Sequence, residues 1–185
     1  MSDMEQRIPG YEPGSGNAAA DAALVEISKE FGGTLTSDHK VLATSGATIQ
    51  ALGAMRRFMG HATLSEVERE IVAVGIARRT ASDYYLAAAP RLLRRHGLGE
   101  GDVTAVLEGT PMSDPRHALI QEATQKLCDE QGRLTDAELA AYKEGGLGEA
   151  ELIEIIAMVG WYLIATYTNN LARTDVDAFW LEDKG

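Results

Sequence analysis

The sequence predicts an all-α fold, and three observations carry that expectation. Apolar residues recur at i, i+3 and i+4 through most of the chain, no stretch alternates apolar and polar residues between turn signals, and capping residues punctuate the periodic runs. Val, Ile and Thr occur without a clean two-residue period, so no strand is expected.

Taken in order, the opening "MSDMEQRIPGYEPGSG" has early acids and no apolar core, so residues 1–17 are expected to form a flexible arm rather than a signal peptide. Residues 18–185 are then long enough for a single helical domain with a real core. Helical spacing covers 18–31, 37–60, 65–79 and 82–96, then 100–109, 114–131, 135–143 and 149–172. "TLSEVERE" carries a capping box, Ser65 as N-cap with Glu68 three residues on. "GLGEGDV" (97–103) and "GLGEAEL" (146–152) nearly repeat, and the expectation is one helix-ending turn used twice. Pro90 lacks an N–H, so the helix over 82–96 is expected to kink or open there.

Composition narrows the function. A formal net charge of -11 repels nucleic acid and anionic lipid, and the one basic cluster, "RLLRRH" at 91–96, is expected to be a solvated face or a partner for carboxylates. No apolar run approaches the ~20 residues of a membrane span, and a cytoplasmic location is the default expectation. A single cysteine, Cys128, rules out an intrachain disulfide or dithiol cycle. His39, His96 and His117 have no partner at metal-ligand spacing, so no metal and no other cofactor is expected.

The stretch "TLSEVEREIVAVGIARRTASDYYLAAAPRLLRRHGLGEGDV" resembles the signature of the carboxymuconolactone decarboxylase and alkylhydroperoxidase-D-like superfamily: L-S-x-x-E-R-E-I-V, A-R-R, C-[DE]-Y-C-x-x-x-H, and a Gly-Leu turn. "GLGEAELIEIIAMVGWYLIATYTNNLARTDVD" is similar to the family's second conserved helix, and the resemblance runs from about Phe31 to Asp177. It implies a helical bundle around a central helical hairpin, assembled as a dimer, trimer or hexamer. Position by position, the family's relay glutamate falls on Glu70, its two cysteines on Ser82 and Tyr85, and its histidine on Ala89. A serine forms no disulfide and is barely ionised at neutral pH, so thiol peroxidase chemistry is not expected.

The residues themselves leave alternatives open. Ser82, Tyr85 and Ala89 share one helical stripe. Ser82 is either an N-cap or a hydroxyl beside free backbone N–H groups, while Tyr84 and Tyr85 are core aromatics or hydroxyl donors. Glu70 lies roughly 70° from the centre of the inward stripe Val67, Ile71, Val74 and Arg78. It is either a boundary ion-pair partner or a partly desolvated acid. His61, in the turn before that helix, is a surface residue or a replacement for the missing relay histidine. Arg78 or Arg79 could anchor a substrate carboxylate, and Asn169 could bond a ligand or a subunit. Two functions compete. One is a cofactor-free acid–base enzyme, a decarboxylase, lyase or isomerase on a small organic acid or lactone, with Glu70 or His61 as acid/base and Ser82 and Tyr85 as hydroxyl donors. The other is a non-catalytic oligomeric helical protein whose site has decayed into packing. A homo-oligomer is expected in either case, because the run 149–172 is apolar over more of its circumference than a monomer core requires.

Overall fold

The computed structural model describes residues 5–181; the first four residues of the expected arm and the last four of the domain lie outside them. Every regular element among the described residues is a helix, as the spacing predicts. The described residues group into two compact units, 62–163 and, from either side of it, 5–61 with 164–181.

The two-ended unit holds α1 (Ala18–Glu30), α2 (Ser37–Leu42), α3 (Gly46–Met59) and the short α10 (Ala178–Leu181). Asn17 starts α1 by accepting from Ala20 N–H at 3.2 Å. The run 37–60, expected as one helix, is two. Ser45 leaves the helical conformation and its Oγ accepts from Thr48 N–H at 3.2 Å, so a second cap interrupts the apolar spacing. Gly46 allows α3 to begin beside the α1 cap, since a Cβ there would lie 2.7 Å from Asn17 Oδ1. The segment 5–17 contains no helix and is fastened by backbone hydrogen bonds, Arg7 N–H to Ala172 O (2.7 Å) and Tyr11 N–H to Lys40 O (2.8 Å). Asp177 accepts from both the N–H and the hydroxyl of Ser37.

The inner unit is built on α4 (Glu66–Arg79), which packs against α5 (Asp83–Arg95), α6 (Glu100–Glu108) and α7 (Pro115–Asp129). Its capping box forms as expected: Ser65 Oγ accepts from Glu68 N–H and Glu68 Oε2 accepts from Ser65 N–H. Ile71, Val72, Val74 and Ile76 are fully enclosed, each burial worth about 1.5–3 kcal/mol. Gly75 permits close approach of α7, because a Cβ there would sit 3.2 Å from Thr124 Cγ2. α8 (Asp136–Glu144) and α9 (Glu149–Ala172) follow; α9 supplies residues up to Leu163 to this unit and the rest to the other.

The near-repeat is one turn used twice. Gly97 (φ 88°) and Gly146 (φ 87°) take the left-handed conformation after α5 and α8, and the next residue, Leu98 or Leu147, bonds back to Leu93 O or Tyr142 O and is buried. Pro90 does not open α5, which runs through it. Only one main-chain bond, to the carbonyl four residues earlier, is forfeited.

The sequence expectation on membrane spans needs one correction. α9 is long and apolar enough to cross a bilayer by length and composition, with a mean hydropathy of 1.4 over its best window. Glu151 and Glu154 lie within the apolar stretch, where the Leu, Ile, Met and Val around them outweigh two charges, and Thr and Asn weigh less against it than charges do.

Candidate active site

The hairpin of α4 and α5 turns through Thr80, Ala81 and Ser82. This turn repeats the bonding of the two Gly-Leu turns: Ala81 N–H reaches Arg78 O and Ser82 N–H reaches Ala77 O. Both residue types differ, however. Ala81 occupies the left-handed position (φ 48°) that glycine fills elsewhere, at a cost on the order of 1 kcal/mol. Ser82 takes the place of the buried leucine. It is 0% exposed, its side chain does not cap α5, and its Oγ has no hydrogen-bond partner among the described residues. Burying a hydroxyl in that way costs about 1–3 kcal/mol.

Glu70 is 8% exposed on α4, further from solvent than an edge position suggests, because α4 is packed on several sides. It precedes the end of its helix by nine residues, about 14 Å along the axis. Tyr85, on α5, is half-buried; its hydroxyl donates to that of Tyr162 on α9 at 2.8 Å, and the rings meet edge to face at 5.1 Å. Tyr84 is buried. Ser82, Tyr85 and Glu70 thus all stand on the α4–α5 hairpin.

Arg78 and Arg79 hold partners within the same unit. Arg78 Nη2 donates to Glu108 O at 2.8 Å and lies over Gly109, at the C-terminus of α6. Arg79 pairs with Asp129 on α7. His61 is exposed and Asn169 buried, both in the two-ended unit; Asn169 Oδ1 accepts from the Thr174 hydroxyl at 2.8 Å. Burial pushes the Cys128 thiol above its ordinary range, with the Arg79 charge opposing. The described residues contain no group of three His, Cys, Asp or Glu able to hold a metal.

Two features were not legible in advance. Tyr162 counted in the sequence only as part of an apolar helix, and nothing local marks it as the partner of Tyr85. Arg116, at the start of α7, joins three segments: Nε donates to Glu68 Oε1 at 2.8 Å, Nη2 to Glu151 Oε1, and Nη1 to Gly146 O. The signal available for it was the pair of acids at the third position of α4 and α9.

No protein-family model matches the sequence, and no curated protein matches it. Solved structures do. A peroxidase-related protein from Ralstonia eutropha JMP134, described as an alkylhydroperoxidase AhpD core, superposes with a TM-score of 0.83 at 16% identity, covering 97% of this chain and 96% of that one. A peroxidase-related protein from Silicibacter sp. TM1040 gives 0.74 at 16% identity, over 97% and 98%. A cysteine-to-alanine variant of the debrominase Bmp8, in complex with 2,3,4-tribromopyrrole, gives 0.73 at 11% identity, over 97% and 96%. The chain has the alkylhydroperoxidase AhpD core fold.

Proposed function

We propose that the chain is a cofactor-free enzyme of the carboxymuconolactone decarboxylase type, performing acid–base chemistry on a small organic acid or lactone. The reaction is a decarboxylation, another lyase step or an isomerisation, carried out by a cytoplasmic homo-oligomer. Ser82 carries this reading. At the same turn used structurally twice elsewhere, the chain replaces glycine and leucine by a strained alanine and a buried hydroxyl, sacrificing stability where a functional group would sit. Glu70, removed from water, is the group to hold or deliver a proton, and the hydroxyls of Ser82 and Tyr85 are the hydrogen-bond donors to developing negative charge. A debrominase of the same fold in complex with a small ring compound supports a small organic substrate.

One observation favours the second reading, a non-catalytic helical protein: the Tyr85 hydroxyl is bonded to Tyr162 and its ring packed there, as a core tyrosine's would be. The test separates the two. Turnover is sought by screening small lactones and β-keto acids, then Ser82→Ala and Glu70→Gln are compared with the wild type. Ser82→Ala is expected to raise stability by about 1 kcal/mol while lowering turnover, since it removes an unpartnered buried hydroxyl. Glu70→Gln is expected to lower the catalytic constant on the order of 100-fold, and Tyr85→Phe by less. Wild-type turnover undiminished in both Ser82→Ala and Glu70→Gln refutes the site.

A further inference from the structure

On α9 one line of residues faces outward: Ile153, Ile156, Gly160, Ile164, Tyr167 and Leu171. Their spacing of three and four keeps them on a single side of the helix for about 27 Å. The five large side chains are between 44% and 65% exposed. They leave on the order of 500 Å² of apolar surface uncovered, at the upper end for a monomer and most of the ~800 Å² per partner of a stable interface.

Four of its five large side chains are also placed symmetrically, Leu171 alone falling opposite a charged residue, Glu149. Ile156 and Ile164 stand four residues to either side of Gly160, and Ile153 and Tyr167 stand seven. Gly160 lies at the middle of α9, and a Cβ built there meets nothing within 4 Å. A second α9, running antiparallel about a two-fold axis at Gly160, therefore sets Ile156 against Ile164 and Ile153 against Tyr167 in both directions, which is the self-complementarity of an isologous contact. The absent side chain lets the two backbones approach most closely at the crossing. Antiparallel packing also aligns the two helix dipoles favourably.

Charge selects the same occupant. The chain carries a formal charge of -11, so two copies repel wherever their carboxylates meet. From 155 to 172, α9 has no charged residue. We propose that this face of α9 binds a second copy of the chain, crossing it antiparallel at Gly160. The proposal rests on the homo-oligomer reading above and adds its surface and symmetry.

Cross-linking tests it in the full chain with Cys128→Ser as background. Gly160→Cys on the axis is expected to give a disulfide-linked dimer under mild oxidation, since two such cysteines fall within bridging range. Ile153→Cys alone is expected not to link to itself, whereas a mixture of Ile153→Cys and Tyr167→Cys chains links. Circular dichroism checks that each variant is folded. Light scattering on the wild type is expected to give a multiple of 19.9 kDa, reduced by the exposed pair Ile156→Asp and Ile164→Asp. A wild-type oligomer in which folded Gly160→Cys fails to link overturns this face and leaves the homo-oligomer standing; self-linking of Ile153→Cys overturns the antiparallel arrangement. A 19.9 kDa wild type overturns both readings. Sedimentation of the wild type with phosphatidylcholine vesicles, abolished by the aspartate pair, assigns the face to a membrane instead and also overturns the proposal.

Discussion

Replacing Arg116 by methionine removes the cation that joins the starts of α4, α7 and α9. Glu68 and Glu151 each divide their oxygens: one accepts from a main-chain N–H at the start of its own helix, Ser65 or Gly148, and the other accepts from Arg116. The two carboxylate side chains are only 11% and 12% exposed, so the substitution strands two enclosed negative charges. Breaking a buried pair from one side costs about 3–5 kcal/mol, but the arginine side chain is 32% exposed and water can replace part of its contact. The expected loss is about 2–4 kcal/mol at pH 7, or a fall in Tm of about 5–15 °C. Arg116→Lys, keeping charge but not the planar fork, is expected to fall between. The pH dependence has a definite sign. Burial is the largest influence on Glu68 and pushes its carboxyl up, yet the bonds from Arg116 and Ser65 together hold it below the ordinary 4.5. The stabilisation is thus present above that value and lost as pH falls through the depressed one, so wild type and Arg116→Met should converge in acid. Urea denaturation across pH measures this. A difference below about 0.5 kcal/mol at pH 7, or one that persists undiminished in acid, refutes the reasoning.

Two further predictions use other sites. The Lys126 and Thr135 bonds hold the Glu138 carboxyl at about 2, so its NMR titration should move toward 4.5 in Lys126→Met; an unchanged midpoint would show that the lysine bond is not formed in solution. Peroxide reduction by added dithiols should stay at background, with Cys128→Ser changing no activity, because the thiol is half-buried and its range raised. Dithiol-driven turnover that disappears in Cys128→Ser would contradict this.

The fold was legible because periodicity and caps agree along most of the chain. The Ser65–Glu68 box and the Gly97 and Gly146 turns are local chemistry, and they formed where their residues stand. The exception at 43–45 is instructive, since apolar spacing continues through a break that one serine decides by capping the next helix. The site was legible only in part. Ser82 could be located, but not its orphaned hydroxyl, which depends on what tertiary packing fails to supply. Likewise Tyr162 meets Tyr85 across 77 residues of chain, and Arg116 reaches Glu68 across 48. Neither distance leaves a periodic trace.

The arrangement of the two units bears on how the chain is made. Residues 62–163 form an uninterrupted segment, whereas the other unit needs both ends: Ser37 waits for Asp177, and Arg7 for Ala172. At about 5–20 residues per second, a ribosome takes on the order of 5–20 s to pass through the inner segment. During that interval Arg7 and Ser37 have emerged without Ala172 and Asp177, the later partners that will hold them. The inner unit is therefore the first of the two whose whole sequence is available to fold, and Arg7 and Ser37, translated before it, gain their final bonds after it.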